Sequence, residues 1–240
     1  MQSSHLCVSK TPTICFEHTI NPVSIGISKY SDNSLAVKIR QVFECLPSQF
    51  AKNNEKFLYS VIKNGARARE YELAIEWLVD AGIVRRVFRV QRGDQLPLKA
   101  YLDRSAFKLY FLDLGLFRAL AEIPIEAISE KNSIFDAYNG LIAEQYVLQE
   151  LSSFHHSLTY WNSNSDAEVD FVGEFGADII PIEVKSGENA YAKSLKVYRE
   201  RYKPRFAIRF SLKEIELNNG LLNIPLYKSF TFPSLQPSLS

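Results

Sequence analysis

Apolar positions recur with a helical period through the first third of the chain. Asp32 or Ser34 is placed to cap a helix carrying Leu35, Ile39, Val42, Phe43 and Leu46, which Pro47 is expected to stop. A second helical stretch holds Phe57, Leu58, Val61 and Ile62 and ends near Gly65. A third begins around Ala68, with Tyr71, Ala74, Ile75, Leu78 and Val79 on one stripe and Gly82 placed just past its end. The runs I-V-R-R-V-F-R-V and L-K-A-Y-L-D then read as two strands around Gly93. The apolar run F-K-L-Y-F-L-D-L-G-L-F (107–117) reads as buried, part strand and part turn, with Lys108 and Asp113 placed to pair.

The pattern then changes. Residues 136–152 read as a helix in which Glu144 sits among Leu141, Ile142, Val147 and Leu148. L-T-Y-W-N (158–162), E-V-D-F-V (168–172) and I-I-P-I-E-V-K (179–185) read as strands, the last two joined by a glycine-containing hairpin. A helix from about Ala190 to Tyr202 and a strand from Arg205 to Phe210 follow. A crossover helix between the third and fourth strands predicts a mixed sheet flanked by helices.

These patterns divide the chain into an irregular tail (1–30), a helical module with a hairpin (31–104), a mixed α/β unit (105–230) and a flexible tail (231–240). Three helices followed by a β-hairpin have the outline of a winged helix. The fold class expected is therefore α/β (α+β), a winged-helix-like module followed by an αβββαβ core. Among the 240 residues the formal net charge is only +1, so a footprint for nucleic acid must be local. Residues 52–92 hold nine Lys or Arg against five Asp or Glu, and Arg85, Arg86, Arg89 and Arg92 crowd the hairpin. Such a cluster is a candidate grip on DNA phosphates, or else an ordinary solvated strand surface.

The three cysteines form no C-x-x-C motif, which argues for a reducing compartment. His5, Cys7, Cys15 and His18 match no metal-binding spacing. No apolar run approaches the ~20 residues of a spanning helix, and no signal peptide is evident, so a cytoplasmic protein without a membrane partner is expected.

The hairpin carries the sharpest chemistry. Alternation puts Val169 and Phe171 on one face with Glu168 and Asp170 on the other. It likewise separates Ile180, Ile182 and Val184 from Glu183 and Lys185. If both apolar faces share a core, Asp170, Glu183 and Lys185 converge opposite it, a set suited to a hard divalent cation. A merely solvated face is the alternative.

An acid on the first core helix, V-D on one strand and I-E-V-K on the next resemble the PD-(D/E)XK nuclease superfamily. More closely, the chain resembles the domain of unknown function that follows the ATPase domain in many prokaryotic AAA-type ATPases. The stretches that carry the likeness are P-S-Q-F-A-K-N-N-E-K-F (47–57), G-A-R-A-R-E-Y-E-L-A-I-E-W-L-V-D-A-G (65–82), F-K-L-Y-F-L-D-L-G-L (107–116), G-L-I-A-E-Q-Y-V-L-Q-E-L (140–151), L-T-Y-W (158–161), E-V-D-F (168–171) and I-P-I-E-V-K-S-G (180–187). The resemblance implies that Glu144, Asp170 and Glu183 bind Mg²⁺ and that Lys185 is the catalytic lysine of a DNA nuclease. It also implies an ATPase domain or partner protein. No G-x-x-x-x-G-K-[ST] occurs, because no glycine precedes a lysine anywhere in the chain, so ATP binding is not assigned here. The chain is expected to be a stand-alone or truncated C-terminal half. Its alternative role is a non-catalytic DNA- or protein-binding or regulatory module left without its ATPase domain.

Overall fold

The helical stripe that opens the sequence becomes α1 (Asn33–Phe50), and it buries Ile39, Val42, Phe43 and Leu46. Asp32 caps it, its Oδ1 accepting the Leu35 N–H at 2.8 Å. A computed structural model describes residues 32–50, 56–123, 136–153, 157–163, 167–187 and 193–232, without the side chains of 136–138. The readings of residues 1–30 and 233–240, and of His5, Cys7, Cys15 and His18, lie outside the described residues.

Pro47 does not stop α1, which continues to Phe50 with the proline inside it. The missing proline N–H costs a hydrogen bond, but the last turn is held from both sides. Phe50 packs edge-on against Phe117 at 5.3 Å. The Gln49 side chain donates to the Leu58 carbonyl at 2.8 Å and accepts the Leu58 N–H at 3.0 Å. After the single turn α2 (Tyr59–Ile62), α3 (Ala68–Asp80) buries Tyr71, Ala74, Ile75 and Leu78 as its stripe requires. It ends where Gly82 takes a φ of +68°, the Gly82 N–H reaching the Val79 carbonyl and the Ile83 N–H the Leu78 carbonyl.

The hairpin differs from its expected form. Its first strand, β1 (Val84–Val90), is as read, but Leu98–Tyr101 form a 3₁₀ turn. The second strand, β2 (Leu102–Phe111), takes in the F-K-L-Y-F run. It therefore passes through the boundary expected at 104/105. A short α4 (Leu114–Leu120) follows, and Asp113 accepts the Leu116 N–H as its cap instead of pairing with Lys108.

The second half supplies α5 (Asp136–Ser152), β3 (Thr159–Asn162), β4 (Glu168–Phe175), β5 (Asp178–Val184), α6 (Lys193–Tyr202) and β6 (Ala207–Ser211). It adds β7 (Glu216–Asn218), β8 (Leu221–Pro225) and a closing 3₁₀ turn (Leu226–Thr231). One eight-stranded mixed sheet results, in the order β2-β1-β3-β4-β5-β6-β8-β7. β1 runs parallel to β3, so the hairpin extends the sheet. Ala207 joins the core beneath α6 while Ile208 joins the core beneath α5, as strand alternation demands. Among the described residues, no helix is long and apolar enough to cross a membrane.

Candidate functional site

The site's shape begins with an extra residue in β4. Thr159 pairs with Val172 but Trp161 pairs with Val169, so two steps on β3 face three on β4. Such a bulge shifts the alternation. Val169 and Val172 enter the core of α6, while Phe171 joins Ile180, Ile182 and Val184 in the core of α5. The expectation that Val169 and Phe171 share a face is corrected accordingly. Phe171 pairs with Ile182, and Asp170 and Glu183 are the next residues along each strand.

Asp170 is fixed by the backbone of β5, its Oδ2 accepting the Val184 N–H at 2.7 Å. Glu183 is buried, its side chain only 3% exposed. The Lys185 ammonium lies 2.6 Å from Glu183 Oε1, and its own side chain is about one-third open to solvent at 32%. Among the described residues, Glu183 Oε2 is buried with no hydrogen-bond partner. Glu144 extends from α5, where its Oε2 accepts from the Tyr110 hydroxyl at 3.2 Å.

Electrostatics unite these groups. Burial, then the charge of Asp170, pushes the Glu144 carboxyl up to about 8. Burial, then Asp170 and Glu144, pushes Glu183 up to about 8 against the pull of Lys185. Burial also raises Asp170, opposed by Lys185, the Val184 N–H and Lys108. Lys185 is raised despite its own burial, chiefly by Glu183 and then Asp170. Glu144, Asp170, Glu183 and Lys185 thus form one interacting set with the lysine directed at an acid. Among the described residues, no three acidic, His or Cys side chains stand close enough to enclose an ion.

Three more residues join the set. Lys108 is bonded to Glu168, and Tyr110 to Glu144. The position of Lys108 and Tyr110 two apart on one strand was visible in F-K-L-Y-F. Their reach toward α5 and β4 depends on sheet order, which the run itself does not encode.

The hairpin arginines are less available than their number implies. Arg86 bonds Glu76 at 2.8 Å, lies 3.7 Å from Glu72 and stacks 4.9 Å from the Phe107 ring centroid. Arg89 bonds Asp103 at 2.5 Å and Asn162 at 3.2 Å, and Arg92 bonds Asp94 at 3.2 Å. Arg85 lines a pocket of about 270 Å³ with Leu112, Leu148, Ser152 and Leu158, and among the described residues its buried Nε has no hydrogen-bond partner.

Two family models match the chain. Residues 25–127 match a domain of unknown function (DUF8612), and residues 139–228 match another domain of unknown function (DUF4143), which is typically found with AAA ATPases. No curated protein and no solved structure matches the chain. The acid cluster draws on both matched segments: Lys108 and Tyr110 lie in the first, and Glu144, Glu168, Asp170, Glu183 and Lys185 lie in the second.

Proposed function

We propose that the chain is a nuclease-like protein that hydrolyses phosphodiester bonds of DNA with Mg²⁺. One observation carries the reading. Three carboxylates, Glu144, Asp170 and Glu183, influence one another's ionisation in a partly buried site, and among the described residues one of their oxygens, Glu183 Oε2, has no hydrogen-bond partner. Like charges held this way invite a cation, and carboxylate oxygens are the hard donors Mg²⁺ prefers. Mg²⁺ keeps several waters and needs only one or two carboxylates, so Asp170 and Glu183 would suffice as its protein ligands, with Glu144 adding negative charge to the same set. The bound ion would supply Lewis acidity and a more acidic water. The chain's own contribution is electrostatic and positional. The Val184 N–H orients Asp170, and the Tyr110 hydroxyl orients Glu144. Lys185 favours the ionised form of Glu183 against the effect of burial and offers its partly exposed ammonium to charge developing on a phosphate.

The test is incubation with plasmid and linear DNA plus Mg²⁺ or Mn²⁺. Asp170→Ala should lower cleavage by about 10²-fold or more. Equal cleavage by both proteins, or none by either, overturns the reading.

A second reading is a non-catalytic DNA- or protein-binding module working beside an ATPase domain in the cytoplasm. The winged-helix outline of α1, α2, α3 and the β1–β2 hairpin motivates it, as do Leu73 and Val37, which α3 and α1 leave 73% and 53% exposed. Here, DNA affinity would fall on replacing Arg85 and be unmoved by Glu183→Gln.

A further inference from the structure

The acid cluster holds a second ammonium that the proposed chemistry does not use. Lys108 comes from β2, its side chain 10% exposed, and donates to the Glu168 carboxylate. The ammonium also sits 5.0 Å from the centroid of the Tyr160 ring. On β4, Glu168 stands two residues before Asp170. The charge of Lys108 acts on Glu144 and Asp170 as well as on its own partner. A buried ion pair adds little net stability, because desolvation offsets most of its attraction. Its field on neighbouring charges is not offset in that way, because water does not screen it.

We propose that the Lys108–Glu168 pair, without touching the ion, sets how strongly the neighbouring acids hold a divalent cation. Lys108 repels the ion, and Glu168 balances Lys108. The first matched segment thereby tunes a site built mainly by the second. This inference rests on the metal-binding reading above.

The experiment is Mn²⁺ titration by calorimetry of the full chain. A unit charge a few ångströms from a dication shifts affinity by about tenfold or more. Lys108→Met should bind Mn²⁺ roughly tenfold more tightly and Glu168→Gln roughly tenfold more weakly. The Lys108→Met/Glu168→Gln protein, which loses both charges, should return to within about threefold of wild type, and Lys108→Arg should match it. Single variants that move affinity in the same direction would overturn the inference, since lost packing weakens binding in both. A double variant as weak as Glu168→Gln overturns it too, because Glu168 would then be a ligand. If Lys108→Met fails to fold, Glu168→Gln and the double variant still give the sign. Failure of the metal-binding reading shows separately, as equal binding by wild type and Asp170→Asn, and takes this inference with it.

Discussion

Lys185 Nζ, just past the end of β5, stands 2.6 Å from Glu183 Oε1, and among the described residues the opposite oxygen of the same carboxylate has no hydrogen-bond partner. One oxygen of Glu183 therefore faces an ammonium, and the other is the one the metal-binding proposal assigns to a cation. Replacing Lys185 with Met should leave a buried carboxylate without its counter-charge, and the protein should hold Glu183 protonated to a still higher pH than in the wild type. Divalent-ion binding would then survive only at higher pH, while cleavage falls by about 10²-fold or more across the range. Mn²⁺ titrations at pH 6.5 and 8.5, alongside cleavage rates, check both halves.

Stability should fall as pH rises from about 5 to about 8. Glu144 and Glu183 ionise in the folded chain near 8, against an ordinary value of 4.5. Between those values the folded state keeps protons that the unfolded state has released, so raising the pH favours unfolding, and the loss levels off above 8. Each unit of pH across which one proton is so retained costs roughly 1.4 kcal/mol. A loss of about 2 kcal/mol would lower Tm by roughly 4–8 °C for a chain of this size. Melts without divalent cation from pH 5 to pH 9 check this, and Glu144→Gln should flatten the profile and raise Tm at pH 8.

A divalent cation should reverse that loss. An ion that binds only the folded state at 100 times its Kd adds about 2.7 kcal/mol. At pH 8, Mn²⁺ should raise Tm by several degrees in the wild type and not in the Asp170→Asn/Glu183→Gln protein. Thermal melts with and without Mn²⁺ decide it.

The two matched segments should unfold together. Gln145, buried on α5, accepts the Phe111 N–H at 2.9 Å and donates to the Phe111 carbonyl at 2.6 Å, closing the end of β2. Gln149 likewise accepts the Leu114 N–H at 2.9 Å. Gln145→Leu leaves both Phe111 backbone groups buried without partners and should cost about 2–4 kcal/mol. Circular dichroism and tryptophan fluorescence should follow one shared transition, displaced as a whole in the variant, because β1 and β3 belong to the same sheet.

Local signals were legible in the sequence, and long-range pairing was not. The Asp32 cap, the α3 stripe, its Gly82 terminus and the β4–β5 hairpin rest on contacts within a few residues, and all were readable. The β4 bulge was not, because the extra residue is defined only against β3, and alternation alone misplaced Val169. Asn219-Gly220 is a local turn signal of the same kind. Both residues have positive φ, 49° and 72°, in the tight turn joining β7 to β8. The acids themselves were legible as residues, but Lys108 and Tyr110 reach them only because β2 and α5 pack together.

The hairpin arginines should separate into structural and available charges. Arg86 is held by Glu76 and lies over Phe107, with its side chain 10% exposed. Truncating it removes a charge-assisted bond and its stacking, so Arg86→Ala should cost roughly 1.5–3 kcal/mol of stability. Its effect on DNA affinity should be small, because the guanidinium is already neutralised by carboxylates. Among the described residues Arg85 has no such carboxylate partner, and it lines the pocket beside Ser152. If the protein binds DNA through this strand, Arg85→Ala should weaken binding with little change in Tm. It should also lower the slope of log affinity against log salt by about 1, the mark of one lost phosphate contact. Melts of both variants, with fluorescence anisotropy on a labelled duplex between 50 and 200 mM salt, make the comparison. If Arg86→Ala lost affinity while keeping full stability, the carboxylates would not be what holds that side chain, and the assignment of the two arginines would have to be exchanged.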